Sequence, residues 1–132
     1  MSFEVINPES LGKPSGWSNG MLAPAGSRVL FVAGQTGTDT SGDVVSADFV
    51  EQFDRALERV LAVVHDAGGT AENVGRMTVY VTDIAAYRSS LRALGSAYRA
   101  RMGYHFPAMA LVQVTSLVHP DARVEIEATA AI

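Results

Sequence analysis

The chain has 132 residues, 48% of them hydrophobic and 18% charged, with a formal net charge of −4. That is the length of one domain, residues 1–132, able to bury a core of its own, and its acidic balance argues against nucleic acid or an acidic membrane surface as a partner. The absence of cysteine excludes disulfides, thiolate-held metals and a cysteine nucleophile; no apolar run reaches the ~20 residues of a membrane helix, and Met1-Ser2-Phe3-Glu4-Val5 lacks a basic-then-apolar leader, so a cytoplasmic location is expected.

Residues 1–27 are rich in Gly, Pro, Ser and Asn, which predicts short extended pieces joined by turns, with Trp17–Leu22 as a first strand. Arg28–Gly34 reads as a strand that is apolar on both sides. Gly34, Gly37 and Gly42 lie in a loop without the spacing of a phosphate-binding fingerprint. Phe49–Ala67 is an amphipathic helix: Phe49, Phe53, Leu57, Val60, Leu61 and Val64 recur at helical spacing. Asp48 with Glu51 makes a capping box, and Gly68-Gly69 a stop. Gly75–Thr82 alternates as a strand, and Asp83 caps a second helix, Ile84–Met102, ended by Gly103.

The last third holds two apolar runs, Ala108–Val114 and Val124–Ile132, separated by a turn at His119-Pro120-Asp121, and is expected to form an antiparallel hairpin or close neighbours in one sheet. In the second run Val124, Ile126, Ala128 and Ala130 point one way, and Glu125, Glu127 and Thr129 the other. The expected order is β-β-α-β-α-β-β, an α+β fold with one mostly antiparallel sheet and two helices on one of its faces. Two helices leave the other face bare, carrying Met109 and Leu111 or their alternates, and a closed homo-oligomer is the simplest cover.

Five segments in this order carry a resemblance: Phe31-Val32-Ala33-Gly34-Gln35, Ala67-Gly68-Gly69, Val79-Tyr80-Val81-Thr82-Asp83, Phe106-Pro107-Ala108 and Val124-Glu125-Ile126-Glu127-Ala128. Together they span nearly the whole chain, which resembles the Rid family of reactive imine/enamine deaminases, also called YjgF or L-PSP endoribonuclease. The resemblance implies a chorismate-mutase-like fold, a homotrimer and small-molecule clefts between subunits; no cofactor and no metal are expected. It also implies a water-positioning glutamate at Glu125. Three other family positions differ: the arginine of the FPAR motif is Met109, the N-terminal tyrosine aligns with Trp17, and the serine before Gly-Gln is Ala33. Methionine offers neither charge nor a hydrogen-bonding fork, so a substrate without the usual carboxylate is expected.

From these residues Glu125 is the candidate catalytic group, and Trp17, Ala33, Met109, Leu111 and Glu127 are candidate substrate-binding groups. The alternative for the two glutamates is an ordinary ion pair with Arg28, Arg76 or Arg123; for the apolar residues it is core or subunit packing. His65, His105 and His119 lack metal-ligand spacing. Arg88, Arg92 and Arg99 form a stripe that reads as a solvated helix face or as a contact for RNA phosphates. The leading expectation is a Rid-type hydrolase, an imine or enamine deaminase; the alternatives are a non-catalytic ligand-binding trimer and an endoribonuclease-like RNA-binding protein.

Overall fold

The computed structural model describes residues 2–132. Its centre is a four-stranded sheet built from β3 (Val29–Thr36), β4 (Val74–Val81), β5 (Ala108–Gln113) and β6 (Val124–Ala131), in the order β3-β6-β4-β5. Near the N-terminus β1 (Glu4–Ile6) and β2 (Gly20–Leu22) form a separate antiparallel pair. The helices are α1 (Phe49–Asp66), α2 (Ile84–Ser89) and α3 (Leu91–Met102).

Three expectations are corrected. The closing runs do not form a hairpin: β6 lies antiparallel between β3 and β4, and β5 pairs with the far side of β4 in parallel, so the sheet is mixed. Two apolar runs separated by a turn signal carry no information about which third strand enters between them, and here β4 does. The second helix is two helices, making three in all: Ser90, with φ −115° and ψ 13°, leaves the helical region between α2 and α3. Serine competes for local backbone bonds, and the Ser89 hydroxyl donates to the Ala86 carbonyl at 3.1 Å. The break also divides the arginine stripe between two helices. The strand expected at Trp17–Leu22 is β2, and it is shorter because only Gly20–Leu22 ladders, against the additional strand β1, while Ser18 makes a lone bridge to Ala108.

Helix α1 begins where expected. The Asp48 carboxylate accepts from the Glu51 N–H at 3.0 Å, satisfying one of the free donors of the first turn. Its apolar stripe lies across β3 and β6, with α3 alongside. Leu57, Val60 and Val64 are fully buried, as are Val124 and Ile126 of β6, and Leu94, Tyr98 and Met102 of α3 join the same core. All three helices therefore cover one face of the sheet. The opposite face leaves Phe31 80% and Val29 61% exposed on edge strand β3 and Val112 44% exposed on edge strand β5. These are apolar rims on either side of the polar side chains of β6 and β4, and large exposed apolar groups of this kind mark contact surfaces.

Gln52 is the polar exception in the core and is wholly buried. Its Nε2 donates to the carbonyls of Ser46 at 2.8 Å and Asp121 at 3.2 Å, and its Oε1 accepts from the Arg123 N–H at 2.8 Å. One amide thus ties the approach to α1 to the approach to β6. Gly37 makes room for it, since a Cβ there would stand 2.6 Å from the Gln52 Cα. On the surface between α1 and α3, Arg101 forks onto Asp54 with bonds of 2.6 and 3.0 Å and reaches Glu58 at 3.2 Å.

Two stability tests follow from these contacts. Gln52→Leu keeps the volume but leaves two part-buried carbonyls and one N–H without their partner, and should cost about 2 kcal/mol in urea unfolding; a loss below about 0.5 kcal/mol would mean the amide is dispensable. The Arg101 hydrogen bond holds the Asp54 pKa below its ordinary 3.8. Because the folded-state value is the lower one, this contribution is complete above the unfolded value and disappears as pH falls through the folded one. Asp54→Asn should therefore cost about 0.5 kcal/mol near neutral pH, as a largely exposed pair does, and nothing in strong acid; an equal loss at both pH values would contradict the assignment.

Candidate active site

Strand β6 alternates as its sequence requires. Val124, Ile126, Ala128 and Ala130 are buried under the helices, and Glu125, Glu127 and Thr129 stand on the uncovered face. Cross-strand register adds their neighbours: Tyr80 of β4 lies opposite Glu125, Thr78 opposite Glu127, and Thr36 of β3 opposite Glu125 on the other side. Between Val32 and Gln35 the β3 register shifts, so Ala33 and Gly34 form a bulge beside Glu125. A Cβ on Gly34 would come within 2.9 Å of the Glu125 Cδ and 3.0 Å of its Cγ. The carboxylate arm thus lies against bare backbone, an approach only glycine permits.

The two carboxylates are not equivalent. Glu127 Oε2 accepts a 3.0 Å hydrogen bond from the Tyr80 hydroxyl. The Glu125 carboxylate has neither a hydrogen bond nor an ion pair among the described residues. The arginines considered for it go elsewhere or stay unpaired: Arg123 reaches Asp83 at 3.8 Å and lies over the Phe49 ring at 5.7 Å. The Tyr80 phenol is raised above its ordinary range, first because its proton is held by Glu127 and further by partial desolvation and the neighbouring negative charge. A half-buried carboxylate without a protein partner, next to the open backbone of a bulge, can accept a hydrogen bond from water and take its proton.

Met109 and Leu111 lie on the other side of the sheet. They pair with Met77 and Val79 and line, with Leu94 and Tyr98 of α3, an apolar groove of about 390 Å3. Trp17 is exposed beyond Phe106, beside a second hollow of about 730 Å3 shared with Met21, Tyr104 and His105; its N–H donates weakly to Asn19 at 3.4 Å. The Trp17 segment is fixed to the sheet edge by Ser18, whose N–H donates to the Pro107 carbonyl at 3.1 Å and whose hydroxyl donates to the Phe106 carbonyl at 2.5 Å. Within the chain, then, Ala33, Glu125 and Glu127 are brought together, whereas Met109, Leu111 and Trp17 are not brought to them. Gly34 and Tyr80 belong to the Glu125 group and were absent from the sequence-derived set. Tyr80 was legible as an outward residue of an alternating strand; its pairing with Glu127 required the register. The described residues contain no cluster of three metal-ligating side chains and no helix long and apolar enough to cross a membrane.

An α+β domain with three helices on one face of a mixed sheet, and a bulge against a glutamate on the other, is a Rid-type architecture. The chain belongs to the endoribonuclease L-PSP family, also known as the Rid or YjgF family: the family profile matches residues 14–132. It is 32% identical over 131 residues, 98% of both chains, to a RutC family protein of Pyrococcus abyssi. It is 33% identical to human 2-iminobutanoate/2-iminopropanoate deaminase over 104 residues, 78% of this chain and 72% of that one. The crystal structure of a Rid family protein of unknown function from Yersinia pestis, YyfB, superposes with a TM-score of 0.87 at 30% identity, covering both chains completely.

The Tyr80–Glu127 bond can be read directly by alkaline titration of tyrosine absorbance, with Tyr80→Phe identifying the Tyr80 component. Removing the acceptor charge in Glu127→Gln should move that component down toward the ordinary value of 10.0. An unchanged titration would mean that the bond does not form in solution.

Proposed function

We propose that the protein hydrolyses a reactive imine or enamine, releasing ammonia, in a cleft assembled from two copies of the chain within a homotrimer. The observation that carries this reading is the partner-free Glu125 carboxylate seated against the Gly34 bulge on the uncovered sheet face. In the reaction water adds to the imine carbon while Glu125 accepts one of its protons and passes it to nitrogen, giving an amino alcohol; Glu125 then accepts the hydroxyl proton and returns it to the amine as the C–N bond breaks, and the products are a carbonyl compound and ammonia. An enamine enters the same sequence after taking a proton at carbon. The human relative that shares 33% identity is named for the same chemistry on 2-imino acids.

Two copies are invoked because side chains on opposite faces of one sheet cannot close on one small molecule. Glu125 and Ala33 stand on the uncovered face, Met109 and Leu111 on the helix face near the edge strand β5. A second copy laid on the uncovered face would cover exposed Val29 and Phe31 of β3 and bring its own edge toward Glu125. Met109 and Leu111 would then supply a neutral, apolar wall beside the reacting carbon, which favours substrates without a carboxylate at that point. Glu127, already engaged by Tyr80, acts in this reading as a support for the site's outer wall rather than as a base.

Glu125→Gln is close to isosteric and removes the base. It should abolish ammonia release from a neutral or apolar imine generated in the assay, while leaving the melting temperature within about 2 °C of the parent. Retained turnover would end the catalytic reading of Glu125. For the assembly, Phe31→Glu places a charge on the uncovered face and should convert a trimer mass by light scattering into a monomer mass, with activity lost together. A parent protein that is monomeric at micromolar concentration would refute the shared cleft.

A further inference from the structure

The groove behind Met109 and Leu111 has a feature that the proposed chemistry does not use. Its floor is apolar, formed by Met77 and Val79 of β4 with Leu94 and Tyr98 of α3. The Tyr98 hydroxyl is spent on the His105 carbonyl at 2.7 Å, and its ring is stacked on Phe106 at 5.5 Å, so these walls offer a ligand surface rather than hydrogen bonds. Charge enters at one place. Arg99 lines the groove from α3, one turn after Gly95, and its guanidinium folds over that glycine: a Cβ on Gly95 would stand 3.1 Å from the Arg99 Nη1.

The contrast with the other arginine at the end of α3 is informative. Arg101 is neutralised by Asp54 and Glu58. Arg99 has no carboxylate partner and no hydrogen-bond acceptor among the described residues. A guanidinium at the mouth of an apolar groove, with its fork unspent, is complementary to an anion attached to an apolar body.

We propose that this groove binds a carboxylate carried on an apolar aliphatic or aryl body, with the body between α3 and the β4–β5 face and the carboxylate on Arg99. For its place in the reaction this rests on the imine-hydrolase reading above; for the binding itself it stands alone. The substrate class becomes an imine that is neutral near Met109 and anionic at its remote end. The positive charge missing at position 109 is supplied from α3, which selects a longer, more apolar acid than a charge at the reacting centre would.

The test is a calorimetric titration of the full-length protein with hexanoate and phenylbutanoate, and with their neutral amides hexanamide and phenylbutanamide. The acids should bind about tenfold more tightly than the amides, the increment of one exposed charge-assisted contact, and added salt should erase the difference. Arg99→Gln should bring the acids down to the amides while leaving the amides unchanged; Arg99→Lys should keep part of the preference. Leu111→Trp, which fills the groove, should remove binding of both. Equal binding of acid and amide, an acid preference that survives Arg99→Gln, or no binding of any probe would each overturn the proposal. Ammonia release separates the two readings: Arg99-dependent acid binding with no turnover of any imine refutes the hydrolase alone, and turnover of neutral imines without acid preference refutes this site alone.

Discussion

Everything functional in this chain depends on β6 having only one covered face. The period of a strand is two, so burying Val124, Ile126, Ala128 and Ala130 beneath α1 forces Glu125, Glu127 and Thr129 to the opposite side. Burial of each large aliphatic residue contributes about 2 kcal/mol, and a register slip of one residue would forfeit several such contributions while driving two carboxylates into the core. The glutamates are therefore held in place by the hydrophobic residues between them. Their position is a consequence of packing, and no polar contact is needed to set it.

On that face the surroundings divide the labour. Tyr80 takes Glu127 and leaves Glu125 without a partner. The β3 bulge then decides what Glu125 meets: an ordinary strand residue at position 34 would place a Cβ against the carboxylate arm, whereas Gly34 presents backbone. A bulge interrupts ladder bonding, and proteins tolerate that cost where a side chain has to be re-aimed. The same face carries exposed Phe31 and Val29 on the bulged strand, so the surface best suited to contact another copy and the least encumbered carboxylate are parts of one continuous patch.

The sequence revealed what local period controls and concealed what depends on pairing. Helix α1 was legible from its stripe and from Asp48, and it ends within one residue of the expected Ala67. The two faces of β6 were legible from strict alternation. The break at Ser90 was not, because Tyr87, Leu91, Leu94 and Tyr98 keep helical spacing across it. Strand order was hidden for a deeper reason. Proximity in sequence favours a hairpin between β5 and β6, but β6 instead pairs on both sides, with β3 and β4, which satisfies the backbone groups along both of its edges. Of the site, Glu125 could be named from its motif; Gly34 could be seen as part of a motif but not as the residue under that carboxylate; and the separation of Met109 from Glu125 could not be seen, since it follows from register.

The parallel placement of β5 has a consequence for recognition. Adjacent parallel strands cannot be joined by a tight turn and need a crossover; here that crossover is α2 and α3, tied to the end of β5 by the Ile84 N–H donating to Gln113 Oε1 at 2.9 Å. The crossover packs on the face toward which β5 directs Met109 and Leu111, and so lays Leu94, Tyr98 and Arg99 over them. Had β5 instead run antiparallel beside β6, as their spacing suggests, its pairing would not have required the helical crossover that leads into it from β4, and nothing in the pairing would set Arg99 over its methionine. The topology that the sequence hid is thus the one that gives the apolar groove its roof and its single unspent cation. Whatever this edge of the molecule recognises is read jointly by a strand and by the helix that the strand's direction makes necessary.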